Sequence, residues 1–401
     1  MASLWGPNVT VFIICEGMAE EGAVANVAWQ QAIGLCSDQP VYLVSDGLSK
    51  QREQQMASYG SCLQARILPS PKLLILRRFA HLPGQLIWIF SAIKATVDAI
   101  HGQPKTPITV ICHSHPMATA VGWYFGPRVK LVMVSHGDIF HRPPGSYDPA
   151  ITWLYRLTTR KAHRLAAMNV ALSPVMAERI QAHGVASNQI ILIPNGIHPS
   201  EIGLIHPGLP EIDHWKSHPL KLIFIGRLNP VKGVDILLES MNLLRQKNIN
   251  LSLTIIGIGR PADHEIIENF VAQNGLNMSV KILQSQPRNN LAKYYADCHL
   301  VVVPSRDEAL PTVVLEAMAC GRPVVGTNVG GIGFLVEDGK TGLVIAPNSP
   351  SALANALIHL NNNRNEMAAM AEASLKRSQA FTWHANVNKL ASTMAHNEAL
   401  P

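Results

Sequence analysis

The 401-residue chain has no Cys-x-x-Cys pair and no zinc-ligand spacing: its six cysteines, Cys15, Cys36, Cys62, Cys112, Cys298 and Cys320, are scattered. Most sit in apolar surroundings, which predicts buried packing in a reducing compartment. No apolar stretch approaches the ~20 residues that span a bilayer. No basic segment precedes the first apolar run, VTVFIIC, and no cleavage site follows it. The expected location is therefore cytoplasmic, with the inner face of a membrane as a place of peripheral contact. No Gly-x-Gly-x-x-Gly follows that first run, which disfavours a dinucleotide-dependent oxidoreductase, and no Walker loop occurs. Signatures of a nucleophilic serine are absent as well. There is no Asp-x-Asp, so no metal–diphosphate clamp is expected.

Hydrophobic residues make up 47% of the chain, enough for a large core and against disorder. The length suits two domains. The formal charge of +6 is uneven: residues 1–198 carry 16 Lys/Arg against 10 Asp/Glu, whereas residues 199–401 carry 17 of each. All the excess lies in the first half. Such asymmetry fits an anionic partner on that side, and equally a solvated basic surface.

Short β-rich runs alternate with helical segments. In the first half they are VTVFIIC, PVYLVSD, ITVICHS, KLVMVSH, AAMNVALS and QIILIPN; in the second, LKLIFIG, LSLTIIG, VKILQ, CHLVVVPS, RPVVGT and GLVIA. Near-continuous apolar strands separated by helices predict parallel sheets covered on both faces. Two such series predict an α/β chain of two doubly wound domains, divided near residue 198. The segment around Pro199, Pro207, Pro210 and Pro219 lacks a helical period and reads as the linker. Ligands of doubly wound sheets bind at the C-terminal strand ends, so two facing domains would place the site in a cleft that closes on its ligand, hinged at the linker. The stretch KLLILRRFAHLPGQLIWIFSAIKATVDAI sets Arg77, Arg78 and Lys94 beside Trp88 and Phe90. It reads as a helix packed on the sheet and interrupted near Pro83-Gly84, or as an interfacial membrane patch.

In VVVPSRDEALPTVVLEAMACGRPVVGTNVGG, Glu308 falls in the loop after a strand. Pro311 suits a helix start and Gly321 the position past the helix end. Glu316 then lies on the helix, roughly 10 Å from Glu308. That is wide for the carboxylate pair of a glycosidase but suits the two ends of one extended ligand, with a phosphate at the helix start between them. Two glutamates eight apart are a weak signal alone, and Glu316 also reads as a solvated helix residue. In LIFIGRLNPVKGVDILLES, Arg227 and Lys232 follow a strand end, where they suit phosphate oxygens or are simply two surface cations.

These two stretches resemble the nucleotide-sugar domain of retaining GT-B glycosyltransferases of family four, which carry a Glu-x7-Glu motif and an Arg/Lys pair in these places. TIIGIG, VKILQSQPRNNLAKYYADCHLVVVPS, IPNGIH and SQAFTW extend the likeness through the C-terminal half; the N-terminal half matches loosely. The resemblance implies two Rossmann-like domains facing across a cleft. Residues 1–198 would form the acceptor side, with a final helix at about 382–401 packing back on it, and residues 199–381 would bind the nucleotide sugar. It implies that Arg227 and Lys232 hold the donor diphosphate, that Glu308 binds donor-sugar hydroxyls and that Glu316 binds the ribose. Backbone groups of Ala309, Leu310 and Thr312 would line sugar and phosphate, and Gln286 would fall beside the base. Gly22 would sit in a glycine loop, His136 would touch the donor sugar, and His113 and His115 lie at another strand end, with His115 read as a hydrogen-bonded structural residue. Two departures stand out: Glu21-Gly22 replaces the usual Gly-Gly, and Ala309-Leu310 replaces a common Gly-aromatic pair.

The implied activity is retaining, metal-independent transfer of a hexose from a UDP-sugar, UDP-glucose favoured, to a saccharide or lipid-linked acceptor. No cofactor and no nucleic acid are expected, and an anionic membrane is a peripheral contact. The alternatives are a nucleotide-sugar epimerase of the same shape and a nucleotide-sugar-binding protein without catalysis.

Overall fold

The computed structural model describes residues 9–16, 18, 22–68, 81–101, 107–141, 149–203 and 219–396. They form two units: the first holds the residues up to Asn195 together with the last helix from Trp383, and the second runs Gly196–Thr382. Most of the stretch expected to be the linker, residues 204–218, lies outside the described residues, as do Arg77 and Arg78.

The first unit is built on a seven-stranded parallel sheet in the order β3-β2-β1-β4-β5-β6-β7. Its strands are β1 (Thr10–Ile14), β2 (Val41–Ser45), β3 (Leu63–Ile67), β4 (Ile108–Cys112), β5 (Lys130–Ser135), β6 (Met168–Ala171) and β7 (Ile190–Leu192). The central strands are buried on both faces, as their unbroken apolar sequences require. β1 lies between β2 and β4, with Ile13 opposite Leu43 on one side and Ile111 on the other. β3, sequence LQARI, is an edge strand with most side chains exposed. It was not among the predicted strands because an edge needs no apolar run.

The second unit has a six-stranded parallel sheet, β10-β9-β8-β11-β12-β13. Here β8 is Leu220–Arg227, β9 Leu251–Ile258, β10 Val280–Gln284, β11 Leu300–Val303, β12 Val324–Thr327 and β13 Gly342–Ile345. In both sheets the chain order reverses beside the first strand of the unit. This switch point, between β1 and β4 and between β8 and β11, is where open α/β sheets receive ligands. Leu222, Phe224, Leu253, Ile255, Leu237, Leu357 and Met367 belong to one core that joins the second sheet to its helices.

Five cysteines are buried, Cys62 is exposed, and all six are free. Burial pushes the Cys36 thiol up to about 11 and those of Cys298 and Cys320 up to about 12, so these sulfurs stay unionised and pack as small apolar groups. The helix His81–His101 is continuous through Pro83-Gly84, contrary to the expected interruption. Pro83 lies in the first turn, where a missing N–H breaks no helical bond.

The last helix, Trp383–His396, packs on the helix Ala23–Leu35 of the first unit. Its path is fixed by three contacts: Asn386 donates to the Pro194 carbonyl at 2.7 Å, Lys130 donates to that of Met394 at 2.5 Å, and Val387 sits against Gly34. A Cβ at Gly34 would lie 2.5 Å from Val387 Cγ2. Gly34→Ala gains about 1 kcal/mol of helix propensity but loses about 1–3 kcal/mol to overpacking. Denaturant titrations should show it less stable than the parent. The loss should shrink by about 1 kcal/mol or more in a Val387→Ala background; equal losses in both backgrounds would mean that this contact does not position the helix.

Candidate active site

Three turns converge at the C-terminal ends of β8, β11 and β12. After β8 the chain makes a tight 3-10 turn, Pro230–Lys232, in which Asn229 Oδ1 accepts the Lys232 N–H at 3.3 Å. Gly233 follows at φ +67 and opens the helix Val234–Gln246. A Cβ there would lie 2.0 Å from the Pro304 carbonyl oxygen, so the backbone after β8 touches the backbone after β11. On the other side, Gly330 (φ +51) approaches so closely that a Cβ would lie 1.5 Å from the Glu308 carbonyl oxygen. The Glu308 loop is thus held between two glycines. Arg306 secures the first turn: its N–H donates to the Val231 carbonyl at 2.7 Å, and its guanidinium pairs with both Asp235 oxygens at 2.8 and 2.6 Å.

Within this frame Lys232 Nζ donates to Glu308 Oε1 at 2.5 Å, and the Ser305 hydroxyl donates to the same oxygen at 2.8 Å. Glu308 is buried, while Lys232 keeps 21% of its side chain exposed. Arg227 ends β8, is exposed, and has no side-chain partner among the described residues. The helix Thr312–Ala319 begins at Pro311 with no side-chain cap, leaving its first N–H groups unclaimed by a side chain. Cys320 closes it, and Gly321 (φ +60) follows as the sequence predicts. Ala309 and Leu310 are buried in the loop before it, under Gly331.

Glu316 is not a solvated helix residue. It is buried: Arg288 donates to Oε1 at 2.9 Å and the Tyr295 hydroxyl to Oε2 at 2.8 Å. Tyr295 is fully buried, and burial together with the neighbouring carboxylate holds its phenol well above the usual range, so it serves only as a neutral donor. Arg288 also lies 3.6 Å from Glu201 of the 3-10 turn Pro199–Ile202. Gln286 folds back to donate to the Gln284 carbonyl at 3.0 Å, closing a turn beyond β10. The structure therefore brings Lys232 and Glu308 together and gives Glu316 two partners, Arg288 and Tyr295, neither of which the sequence singles out.

The first unit presents a different chemistry at its strand ends. His113 and His136 each lie one residue past their strands, β4 and β5, with His113 Nδ1 2.8 Å from His136 Nε2 and the rings stacked at 5.1 Å. Burial lowers His136 to about 4 and, with the neighbouring imidazole, holds His113 well down, so both are neutral at pH 7. One ring donates to the other, and His113 Nε2 has no hydrogen-bond partner among the described residues. His115 caps a second group: its Nε2 is 3.3 Å from His163 Nε2, His163 contacts Asn169 Oδ1 at 2.7 Å and stacks on His183, and His183 donates to Asp138 at 2.9 Å. Burial opposes ionisation of Asp138, yet the hydrogen bonds from His183 and from the Phe140 N–H hold its carboxyl well below the usual range. Gly22 caps the helix Ala23–Leu35 at φ −79, and a Cβ there would meet open space, so the fold itself does not demand glycine. Among the described residues no three histidine, cysteine or acidic side chains gather to hold a metal ion.

Comparison with known proteins accords with this geometry. Residues 24–201 match the family described as Glycosyltransferase Family 4, and residues 210–377 match Glycosyl transferases group 1. An uncharacterised glycosyltransferase of Methanocaldococcus jannaschii is 35% identical over 161 residues, which take in 40% of this chain and 44% of that protein's length. A D-inositol 3-phosphate glycosyltransferase of Streptosporangium roseum is 27% identical over 78% of this chain and 74% of its own. Among solved structures, a sucrose-phosphate synthase from Thermosynechococcus elongatus superposes with a TM-score of 0.78 at 20% identity, covering 98% of this chain and 100% of that one. Anabaena HepE in complex with UDP and glucose gives 0.74 at 17% identity over 96% and 99%. The family matches and these likenesses support a GT-B glycosyltransferase.

The histidines make a pH test. His136 and His163 are both held down to about 4, chiefly by burial, whereas an unfolded histidine takes its proton near 6.5. The unfolded chain therefore binds more protons than the folded one between about pH 6.5 and 4. Stability of the first unit should fall as pH falls through that window, by up to about 1.4 kcal/mol per pH unit for each group, and lose nothing further from them below it. Melting temperatures measured across the window should decline less steeply in His163→Gln than in the parent. An equal slope would remove His163 as a source.

Proposed function

We propose that the chain, as a GT-B glycosyltransferase, transfers a hexose from a UDP-sugar, UDP-glucose favoured, to a hydroxyl of a saccharide or lipid-linked acceptor with retention of anomeric configuration, in polysaccharide or glycoconjugate assembly. The observation that carries the reading is the Lys232–Glu308 ion pair at the switch point of the second sheet, with Arg227 at the end of β8 and Glu316 held on the adjoining helix. The UDP and glucose bound to HepE, a protein of the same fold, support the choice of donor.

In this reading the donor diphosphate lies against Lys232, Arg227 and the start of the helix Thr312–Ala319. These supply positive charge without a metal ion. Glu308, positioned by Ser305, accepts hydroxyls of the hexose. A carboxylate has about four lone-pair sites, and the contacts from Arg288 and Tyr295 occupy one on each Glu316 oxygen. The remaining sites accept the two ribose hydroxyls while the carboxylate stays fixed. The acceptor hydroxyl attacks the anomeric carbon from the face that the diphosphate leaves. The C1–O bond to the diphosphate breaks as the new glycosidic bond forms, and the departing phosphate oxygen takes the acceptor's proton. Stabilising that oxygen is the main electrostatic contribution.

Lys232→Ala should lower kcat by on the order of 10²-fold, about 2.7 kcal/mol of transition-state stabilisation. Glu316→Ala should chiefly raise the donor KM, because ribose contacts change little during reaction. Glu308→Gln should lose both rate and affinity. NMR of the product from an α-linked donor should show an α-linkage, and turnover should persist in chelator. A β-linked product would end the retaining assignment, an unchanged kcat in Lys232→Ala the leaving-group role, and a requirement for added Mg²⁺ the metal-free one.

A further inference from the structure

The first unit carries a surface that nothing in the proposed transfer uses. Three helices, His81–His101, His115–Phe125 and Pro149–Leu165, pack against one another. Trp88, Ile89, Met117, Val121 and Ala162 from them enter one core with β1, β2, β4 and β5, so all three cover the same face of the sheet. Their outward sides therefore look away from that sheet.

Those outward sides are unusually apolar. Phe90 is 71% exposed, Trp123 66%, Trp153 56% and Leu157 51%. Trp123 and Trp153 are the two exposed tryptophans among the described residues, and both lie here. On the helix Pro149–Leu165 the exposed residues Trp153, Arg156, Leu157, Arg160, Lys161 and Arg164 recur at intervals of three and four, on one stripe, while Leu154, Thr159, Ala162 and His163 face inward. That helix contains four Lys/Arg and no acidic residue. Lys161 Nζ sits 4.6 Å from the Trp123 ring centroid, so the stripe and the end of the neighbouring helix form one surface. Among the described residues no helix is long and apolar enough to cross a membrane.

We infer that this face is a docking surface for an anionic lipid bilayer. Tryptophan and leucine set among arginine and lysine suit the boundary of headgroup and acyl chain: the rings enter, and the cations meet lipid phosphates. A second copy of the chain fits poorly, because a two-fold contact would set these cations against themselves. The surface depends on neither donor nor acceptor, so it is separable from the glycosyl-transfer reading.

The test uses the full chain with vesicles of equimolar phosphatidylcholine and phosphatidylglycerol, followed by sedimentation and by tryptophan emission. The wild type should pellet with these vesicles at low salt, with a blue-shifted emission, and bind phosphatidylcholine alone far less. Each cation near an anionic surface is worth about 1 kcal/mol, so Arg160→Gln/Lys161→Gln should bind roughly thirty-fold more weakly. Trp153→Ser/Leu157→Ser should remove most of the emission shift and weaken binding several-fold. Circular dichroism checks that each variant, altered only at exposed positions, is folded. Failure of the wild type to pellet with the anionic vesicles, or unchanged binding in both variants, would overturn the inference. So would a dimer, seen by sedimentation velocity, that Trp153→Ser/Leu157→Ser dissociates while vesicle binding stays the same.

Discussion

The second unit is organised around one close approach: the turns after β8 and β12 press their backbones against the loop after β11. Gly233 and Gly330 permit it, each at positive φ and each with no room for a Cβ. The approach fixes where Lys232 and Glu308 meet. Without it a lysine and a glutamate 76 residues apart in sequence would have no reason to share a 2.5 Å contact. The pair is also kept partly wet on the lysine side. That matters physically. A fully buried pair is costly to open because either partner is left charged and alone. A lysine with access to solvent can turn from carboxylate to an arriving anion at lower cost, while Ser305 keeps Glu308 oriented.

The second carboxylate has a different set of partners. Glu316 is locked by a buried phenol and a guanidinium, and Tyr295 is itself tied down because the buried Arg322 donates to its carbonyl at 2.5 Å. Removing Glu316 strands the Tyr295 hydroxyl without that acceptor and leaves Arg288 with the more distant Glu201 carboxylate. Two glutamates eight residues apart therefore differ in their partners: one is held by a lysine and a serine hydroxyl, the other by a guanidinium and a fully buried phenol. The difference follows from what surrounds each helix turn and loop, not from the residue type.

This contrast explains what was legible in the chain. Apolar runs long enough to be buried on both faces announced their strands, and the parallel order followed from alternation with helices. Edge strand β3 stayed hidden because Gln64 and Arg66 face solvent as they would in a loop. The roles of Lys232 and Glu308 rested on the family resemblance, whereas their strand-end positions were readable from the punctuation beside them, Gly233 and Pro311. Arg288 and Tyr295 were not, because a partner drawn from another strand loop leaves no trace at a fixed spacing. The burial of Glu316 was equally invisible: on a helix TVVLEAMA a lone glutamate reads as the solvated position, and only the arrival of two donors makes its burial tolerable. The reading of Gly22 rested on its neighbours in sequence. Its open surroundings mean that any need for glycine there would come from a ligand and not from the fold.

In the proposed reading, net charge does not mark the half that takes the donor diphosphate. The half with balanced charge holds the cations proposed for the donor diphosphate, because two well-placed cations and a helix start outweigh any diffuse excess within a Debye length. The half with the surplus presents neutral imidazoles at its strand ends, where burial strips His113 and His136 of charge. Its surplus is instead concentrated in the Lys/Arg of one helix, Arg156, Arg160, Lys161 and Arg164, on the face turned away from the sheet. Long cationic stems beside exposed tryptophan cost little to keep in water and much to bury against another protein. A chain that places them together, and keeps carboxylates off the same helix, has a surface whose charge and apolar character act in one direction.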